Sequence, residues 1–334
     1  MFSFLKVSIG DSEGFVQVYD ETSNFSLATS FQAQRDFIWR IRQSPYKTNS
    51  YVVTASGFFD NTVKIWSSSD LSPIQTYTGH NQSVYGLEFI NDDTIASGGK
   101  DKTIQIWSMS TGKTQRTINT SSNVYSLQLL RNGFYLAAGL SYPSYSINIY
   151  NINDGSLVNI LQGHMNSVND LALISDDLLA SSSQDFTIRI WNLTTNDTTF
   201  VLRGHLNIVT ALKIISLDTL VSASYDKTIK LWNITSGTLI RTFLGHKDII
   251  QYSIDLLSDG QTLVSGSQDR TIKLWNITTG QCLNTISTDD LVVSLAILNL
   301  NITLFTTTTS TSTLTTTNTL VSTTKATTKG RNFY

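Results

Sequence analysis

The sequence predicts an all-β protein built from seven copies of one unit, and two observations carry that expectation. The first is a polar frame that recurs. From Gly245 to Trp275 the chain runs through a Gly-His dipeptide, an apolar strand, Ser265, Asp269 and the alternating strand Thr271-Ile272-Lys273-Leu274-Trp275. With His246 this copy is matched by His80, Ser97, Asp101, Trp107, by His164, Ser181, Asp185, Trp191, and by His205, Ser222, Asp226, Trp232, which together use all 4 histidines of the chain. Asp stands 6 residues before Trp in every copy, and His stands 21 before Asp in three copies and 23 before it in the last. The second observation is the spacing of strand ends. Tyr19, Trp66, Trp107, Tyr150, Trp191, Trp232 and Trp275 lie 47, 41, 43, 41, 41 and 43 residues apart. A fixed period of this size marks a stacked supersecondary unit, and it decides the fold before any single segment does.

The Gly-His near the start of each of the four full copies and the Trp near its end resemble those of the WD-repeat (Trp-Asp repeat) β-propeller family. The second dipeptide here is Trp-Asn or Trp-Ser. The resemblance implies a β-propeller of four-stranded antiparallel blades, and the seven strand ends then give seven blades.

In chain order, Phe4 to Ile9, a polar turn at Gly10 to Gly14 and Phe15 to Tyr19 read as the middle strands of an incomplete first blade. Glu13 stands in the Asp register there. The missing inner strand is supplied by Leu291 to Leu298, so that N- and C-terminal strands pair in one blade and no sheet edge is left open. Ile302 to Thr309 competes with Phe4 to Ile9 for the neighbouring place. Blade two, about Phe25 to Trp66, has Ser56, Asp60 and Trp66 in register but Gln34 to Asp36 in place of Gly-His, and Ser44 to Ser50 lengthens its inner hairpin. Blades three, five, six and seven carry the full frame. Blade four has Ser121 and Ser122 for Gly-His and Ser144 for Asp, so its polar network is expected to be absent. From Thr306 to Thr328, 17 of 23 residues are Thr or Ser. The expected division is a propeller over residues 1–299 and a Thr/Ser-rich disordered tail or linker over 300–334.

Composition narrows the function classes. Charged residues are 14% of the chain and the net charge is −2, which disfavours nucleic acid as a partner. The lone Cys282 excludes an internal disulfide and a cysteine-based zinc site and fits a cytoplasmic protein. No apolar run approaches the ~18 residues of a membrane span. Sequons at Asn24, Asn81, Asn119, Asn192, Asn196, Asn233, Asn276 and Asn301, together with the Thr-rich tail, keep a secreted, glycosylated alternative open. Asn233 and Asn276, however, recur where a polar turn residue is wanted anyway.

The resemblance assigns His, Ser, Asp and Trp of each full copy to a buried hydrogen-bonded set. A neutral imidazole can donate to the carboxylate and accept from the hydroxyl, with the indole N–H as a further donor. A Ser-His-Asp hydrolytic triad uses the same residue types. Four repetitions at one offset favour the structural role, since a catalytic centre is needed once. Neither a metal site nor a cofactor is expected, because each histidine lies in its own blade with its nitrogens committed.

The expected function is therefore a non-enzymatic scaffold, monomeric as a propeller, that binds a protein or peptide partner. The alternatives are the substrate-recognition subunit of a ubiquitin ligase or other multiprotein complex, and an enzyme with a propeller fold. Ligase receptors of the family often carry Trp-Asp-X-Arg, which no repeat here has. In propellers of this family the residues flanking the apolar position four after His, and the residue before the turn Asp, tend to point out at the top face. Those positions give Phe37, Trp39 and Phe59 in blade two, Tyr85 and Lys100 in blade three and Tyr125 in blade four. Blades five to seven give small, polar or aliphatic residues there, with Tyr225 the one further aromatic. A partner across blades two to four is the expectation, anchored by the aromatics and with Lys100 meeting an acidic group.

Overall fold

The computed structural model describes residues 4–20, 23–46, 51–130 and 133–300. Within them, period-2 alternation resolves into strands grouped as seven four-stranded antiparallel sheets. Blade one contains β1 (Phe4–Asp11), β2 (Phe15–Asp20) and β3 (Ser26–Gln32). Blade two is β4 (Ile38–Gln43), β5 (Tyr51–Ser56), β6 (Val63–Ser67) and β7 (Pro73–Tyr77); blade three is β8 (Val84–Phe89), β9 (Thr94–Gly99), β10 (Thr103–Ser108) and β11 (Thr114–Asn119). Blade four is β12 (Val124–Leu129), β13 (Tyr135–Leu140), β14 (Ile147–Asn151) and β15 (Leu157–Leu161); blade five is β16 (Val168–Ser175), β17 (Leu178–Ser183), β18 (Ile188–Asn192) and β19 (Thr198–Leu202). Blade six is β20 (Val209–Ser216), β21 (Thr219–Ser224), β22 (Ile229–Asn233) and β23 (Thr238–Phe243); blade seven is β24 (Ile254–Leu256), β25 (Thr262–Ser267), β26 (Thr271–Asn276) and β27 (Cys282–Ser287). Blade one is completed by β28 (Val292–Leu300), whose residue Ile297 pairs with Val7 of β1. The ring is thus closed with both terminal strands in one sheet, and the N-terminal segment supplies the strand next to β28. The rival segment Ile302 to Thr309, like the Thr/Ser-rich stretch, lies outside the described residues.

The cores lie between blades. Ile147, Ile149 and Leu161 of blade four pack with Val168, Leu171 and Trp191 of blade five in one buried cluster, and Ile229 and Phe243 of blade six pack with Ile250 and Trp275 of blade seven in another. Each sheet therefore buries both faces against its neighbours, which is why the inner three strands are buried along most of their length, polar residues included, while the outermost strands expose Ile74, Leu157, Leu239 and Leu283.

Bulges recur with the same regularity. The third and fourth strands shift register at the terminal aromatic of every blade, from Val18/Tyr19 to Leu274/Trp275. The inner strands shift immediately after their first residue at Ile38/Arg40, Val84/Gly86, Val124/Ser126, Val168/Asp170 and Val209/Ala211. The skipped residue leaves the ladder, and a bulge re-aims the side chain it carries. The skipped residues are Trp39, Tyr85, Tyr125, Asn169 and Thr210, at the end of the channel where the inner strands begin, here called the top.

Candidate binding site at the channel mouth

Four polar sets hold the top loops in place. His164 Nδ1 meets Asp185 Oδ2 at 2.8 Å and Nε2 meets Ser181 Oγ at 2.7 Å, while Trp191 Nε1 donates to the same Oγ at 2.8 Å. One assignment of protons satisfies all of this: Nδ1–H donates to the carboxylate, and the serine hydroxyl donates to Nε2 and accepts from the indole. The same bonds join His205, Asp226, Ser222 and Trp232, and His246, Asp269, Ser265 and Trp275. A further member went unread in the sequence. Thr187, Thr228, Thr271 and Thr103 each donate Oγ–H to Oδ1 of the Asp two residues before, and the recurring Asp-X-Thr was the available signal. Burial alone would push the carboxyls of Asp185, Asp226 and Asp269 up, but their bonds to His, Thr and backbone N–H outweigh it and hold them far below the usual range. Burial lowers His164 and His205, keeping them neutral near pH 7. Because each Ser Oγ lies at zero exposure between imidazole and indole, no substrate carbonyl reaches it, and the constellation is not an open hydrolytic triad.

Four blades depart from the expected frame. In blade three His80 bonds Asp101 and Ser97, but Trp107 Nε1 has no acceptor among the described residues. Its indole stacks face to face on Tyr77 of blade two at 4.4 Å, and the place of Tyr77 is held by Leu161 in blade four and Leu202 in blade five. In blade two the serine place belongs to Thr54, not Ser56. Thr54 pairs with Lys64 as Ser181 pairs with Arg189, so the intervening turn is two residues longer. Thr54 Oγ1 accepts from Trp66 Nε1 at 3.1 Å and from Gln34 Nε2 at 2.8 Å, which puts a glutamine amide in the role of imidazole, while Ser56 Oγ is buried without a hydrogen-bond partner among the described residues. Blade four is not without polar links: Ser144 Oγ meets those of Ser121 and Ser122, and Asn148 joins Ser146 to Tyr150. In blade one Asp11, rather than Glu13, caps the turn by accepting from the backbone N–H of Glu13 and Phe15. The sequon residues Asn192, Asn233 and Asn276 accept backbone N–H bonds in turns through their side-chain oxygens.

At the channel mouth an aromatic platform spans blades two to four. Trp39 stacks on Phe37 at 5.6 Å, meets Phe58 at 5.9 Å and stands edge-on to Tyr85 at 5.5 Å, and Tyr85 contacts Tyr125 at 5.0 Å. All but Phe58 are half-buried. Of the expected binding residues, Phe37, Trp39, Tyr85 and Tyr125 are brought together. Phe59 is 90% exposed and has no ring partner among the described residues; the residue of this turn that packs on Phe37 and Trp39 is Phe58, 53% exposed. Lys100 is exposed at the rim, where its backbone N–H bonds Ser83 O, and Ser83 Oγ accepts from Phe58 N.

Beneath the platform Arg40 crosses the channel. Its Nη2 donates to Asp170 Oδ1 of blade five at 2.9 Å, its Nε donates to Tyr85 O, and its guanidinium lies 4.1 Å from the ring centre of Tyr252. Burial pushes the Tyr252 phenol up. Tyr252 also reaches Trp39, at 6.4 Å. Sequence reading missed it, although the 23-residue offset in the last repeat was its trace: Ile254 pairs with Ser265 where Leu212 pairs with Ser222, so the inner strand of blade seven holds one extra residue, Tyr252. Below the strut lies a cavity of about 320 Å³ lined by Arg42, Lys213 and Asp255 among others, its cations matched by Glu88 and Asp255. Among the described residues no three His, Cys, Asp or Glu side chains converge as metal ligands.

A closed ring of four-stranded blades, pinned by repeated polar sets and carrying an aromatic platform above the Arg40 link, defines a repeat propeller. The WD domain, G-beta repeat family matches residues 25–67, 71–108, 155–192, 196–233 and 237–276, more than half of the chain, and the chain belongs to that family. Blades one and four, whose frames are degraded, fall largely outside the matches. The chain is 42% identical over 129 residues to the small ribosomal subunit protein RACK1 of Neurospora crassa (38% of this chain, 39% of that one), and 27% identical over 181 residues to protein tipD of Dictyostelium discoideum (53% and 28%). It is 28% identical over 126 residues to the APC/C activator protein CDH1 of Saccharomyces cerevisiae (36% and 22%). The matches thus span well under two thirds of these relatives. Among solved structures, the computationally designed Ika8 protein superposes with a TM-score of 0.67 at 28% identity, covering 88% of this chain and 87% of that one. No helix of the described residues is long and apolar enough to cross a membrane.

Proposed function

We propose that this protein is a non-enzymatic, monomeric scaffold whose propeller binds a protein or peptide partner at the top of the channel. Trp39 is the centre of the contact, Phe37, Phe58 and Tyr85 surround it, and Lys100 supplies a charge for an acidic group at the rim. The observation that carries this reading is internal to the repeat. Where blades two to four place Trp39, Tyr85 and Tyr125, blades five and six place Asn169 and Thr210, which hydrogen-bond Val209 O and Ile250 O of the next blade. Polar residues satisfy the position and tie neighbouring blades together, so the fold does not require three aromatic rings there. A partner does, since Trp and Tyr concentrate binding energy at interfaces. The free, exposed thiol of Cys282 supports a cytoplasmic setting.

The test is quantitative affinity capture from cells with wild type, Trp39→Ala, Tyr85→Ala and Tyr225→Ala, followed by titration of the recovered partner. Trp39→Ala and Tyr85→Ala are expected to weaken binding by about tenfold or more each, ~1.4 kcal/mol per decade. Tyr225→Ala changes it less. Folded Trp39→Ala protein that keeps wild-type affinity for every partner refutes the assignment.

A further inference from the structure

We propose that the outer rim of blades four to six carries a second docking surface, formed by Tyr142, Tyr145, Met165, Phe186 and Leu206, for an amphipathic helical peptide whose apolar centre is flanked by acidic residues. The repeat is again the control. The residue after each His donates its backbone N–H to Oδ2 of the turn Asp, at 3.2 Å for Asn81, 3.0 Å for Met165, 2.9 Å for Leu206 and 2.8 Å for Lys247. These four positions are therefore equivalent and share one face. Blades three and seven fill them with Asn and Lys, whereas blades five and six hold Met165 at 82% and Leu206 at 84% exposure.

The residue after the turn Asp tells the same story. Lys102, Lys227 and Arg270 occupy it at φ of 62°, 69° and 62°, and blade five puts Phe186 there at φ 70° and 43% exposure. A bulky ring in the left-handed region is disfavoured and gains nothing from this half-open site. This turn residue reaches the next blade: Lys227 Nζ donates to Lys247 O at 2.9 Å, and Thr120 N donates to Lys102 O at 2.9 Å. The equivalence sets Phe186 beside the Leu206 loop and Tyr145, which follows Ser144 in the Asp place, beside the Met165 loop. Tyr142, 73% exposed, extends the strip against Tyr145 at 5.9 Å between ring centres.

An exposed apolar strip that interrupts a polar rim marks an interaction surface. Its ends choose the occupant. Lys102 on one side and Lys227, Lys247 and Arg270 on the other are exposed cations, outnumbering the exposed acids near them, Asp248, 4.0 Å from Lys227, and Asp289, next to Thr288 whose N–H bonds Arg270 O. Apolar residues at i, i+4 and i+7 of a helix match a row of anchors, and acidic ends match the flanking cations. None of these residues belongs to the channel-mouth platform, so the surface stands or falls separately from it.

The probe is a fluorescein-labelled peptide with Leu at i, i+4 and i+7 and Glu at both ends, compared with the same peptide ending in Lys. The Glu-ended peptide should saturate and bind at least about tenfold tighter than the Lys-ended one, a difference of ~1.4 kcal/mol. The double variant Met165→Asn, Leu206→Asn, which copies the residue blade three uses, should lose that binding, and Trp39→Ala should retain it. An independent readout needs no variant: bound peptide should slow peroxide oxidation of Met165, followed by mass spectrometry. Equal binding of the two peptides, undiminished binding to the double variant, or unchanged oxidation of Met165 at saturating peptide would each overturn the proposal.

Discussion

At the scale of single residues, a carboxylate of the polar sets and the turn-capping Asp11 of blade one work in opposite directions with pH. Asp226 joins imidazole, threonine hydroxyl and the Leu206 N–H, and its folded pKa is held below the ordinary 3.8. The ionised form is the bound form, so its stabilising contribution is full above pH 3.8 and is lost as pH falls through the lower folded value. Asp11 is the reverse case. Burial, aided by the nearby Asp290 charge, raises it to about 6. Its contribution is present below pH 3.8 and lost as pH rises through 6, leaving a buried charge unfavourably placed at neutrality. Melting curves from pH 3 to 8 separate the two. Asp226→Ala orphans His205 and should be destabilised by ~1–3 kcal/mol at pH 7, with the deficit shrinking toward pH 3. Asp11→Asn keeps an oxygen for the Glu13 and Phe15 N–H groups and should melt above wild type at pH 7.5, the gap closing below pH 4. An Asp11→Asn protein that melts below wild type at pH 7.5 refutes the reading of Asp11.

At the scale of elements, what the sequence reveals depends on whether spacing is preserved. Seven strand ends, three full frames, the His-Ser-Asp part of a fourth and the closing role of Val292 to Leu298 are legible because hydrogen-bond geometry fixes their offsets. The errors cluster where a residue is inserted. Counting back from Asp60 puts Ser56 in the serine place, and the count fails because the blade-two turn holds two more residues, which hands that place to Thr54. Tyr252 escaped for the same reason. A bulge is invisible to composition, because it leaves the pattern of residue types intact and changes only where a side chain points. Closure gives the prediction at this scale. β28 pairs with β1 along eight registered positions and buries Val292, Val293 and Leu298. A chain ending at Asp290 removes that strand, exposing the edge of β1, and should melt far below a chain ending at Asn301. Matching melting temperatures for the two would refute closure through this blade.

At the scale of the whole molecule, blades touch only their neighbours through their cores, and the Arg40 to Asp170 link is different because it ties blade two to blade five across the ring. Both side chains are at least nine-tenths buried, and Asp170 Oδ2 also accepts from Leu212 N at 2.9 Å, so the carboxylate serves blade six as well. The pair lies under the platform: Arg40 follows Trp39 directly and its Nε donates to Tyr85 O, so the strut fixes from below the two rings on which binding is proposed to depend. Burying two charges is costly, and a pair of this kind is best detected by what happens when one partner is removed. Asp170→Asn keeps an acceptor for Leu212 N but leaves the guanidinium buried without its counter-charge, and Arg40→Met does the converse to the carboxylate. Each single variant should lose ~3 kcal/mol or more. The double variant strands neither charge and should be more stable than the sum of the singles implies by ~1–3 kcal/mol, measured by denaturant unfolding in a double-mutant cycle. Effects that add to within ~0.5 kcal/mol would show that the link transmits nothing between opposite sides of the ring.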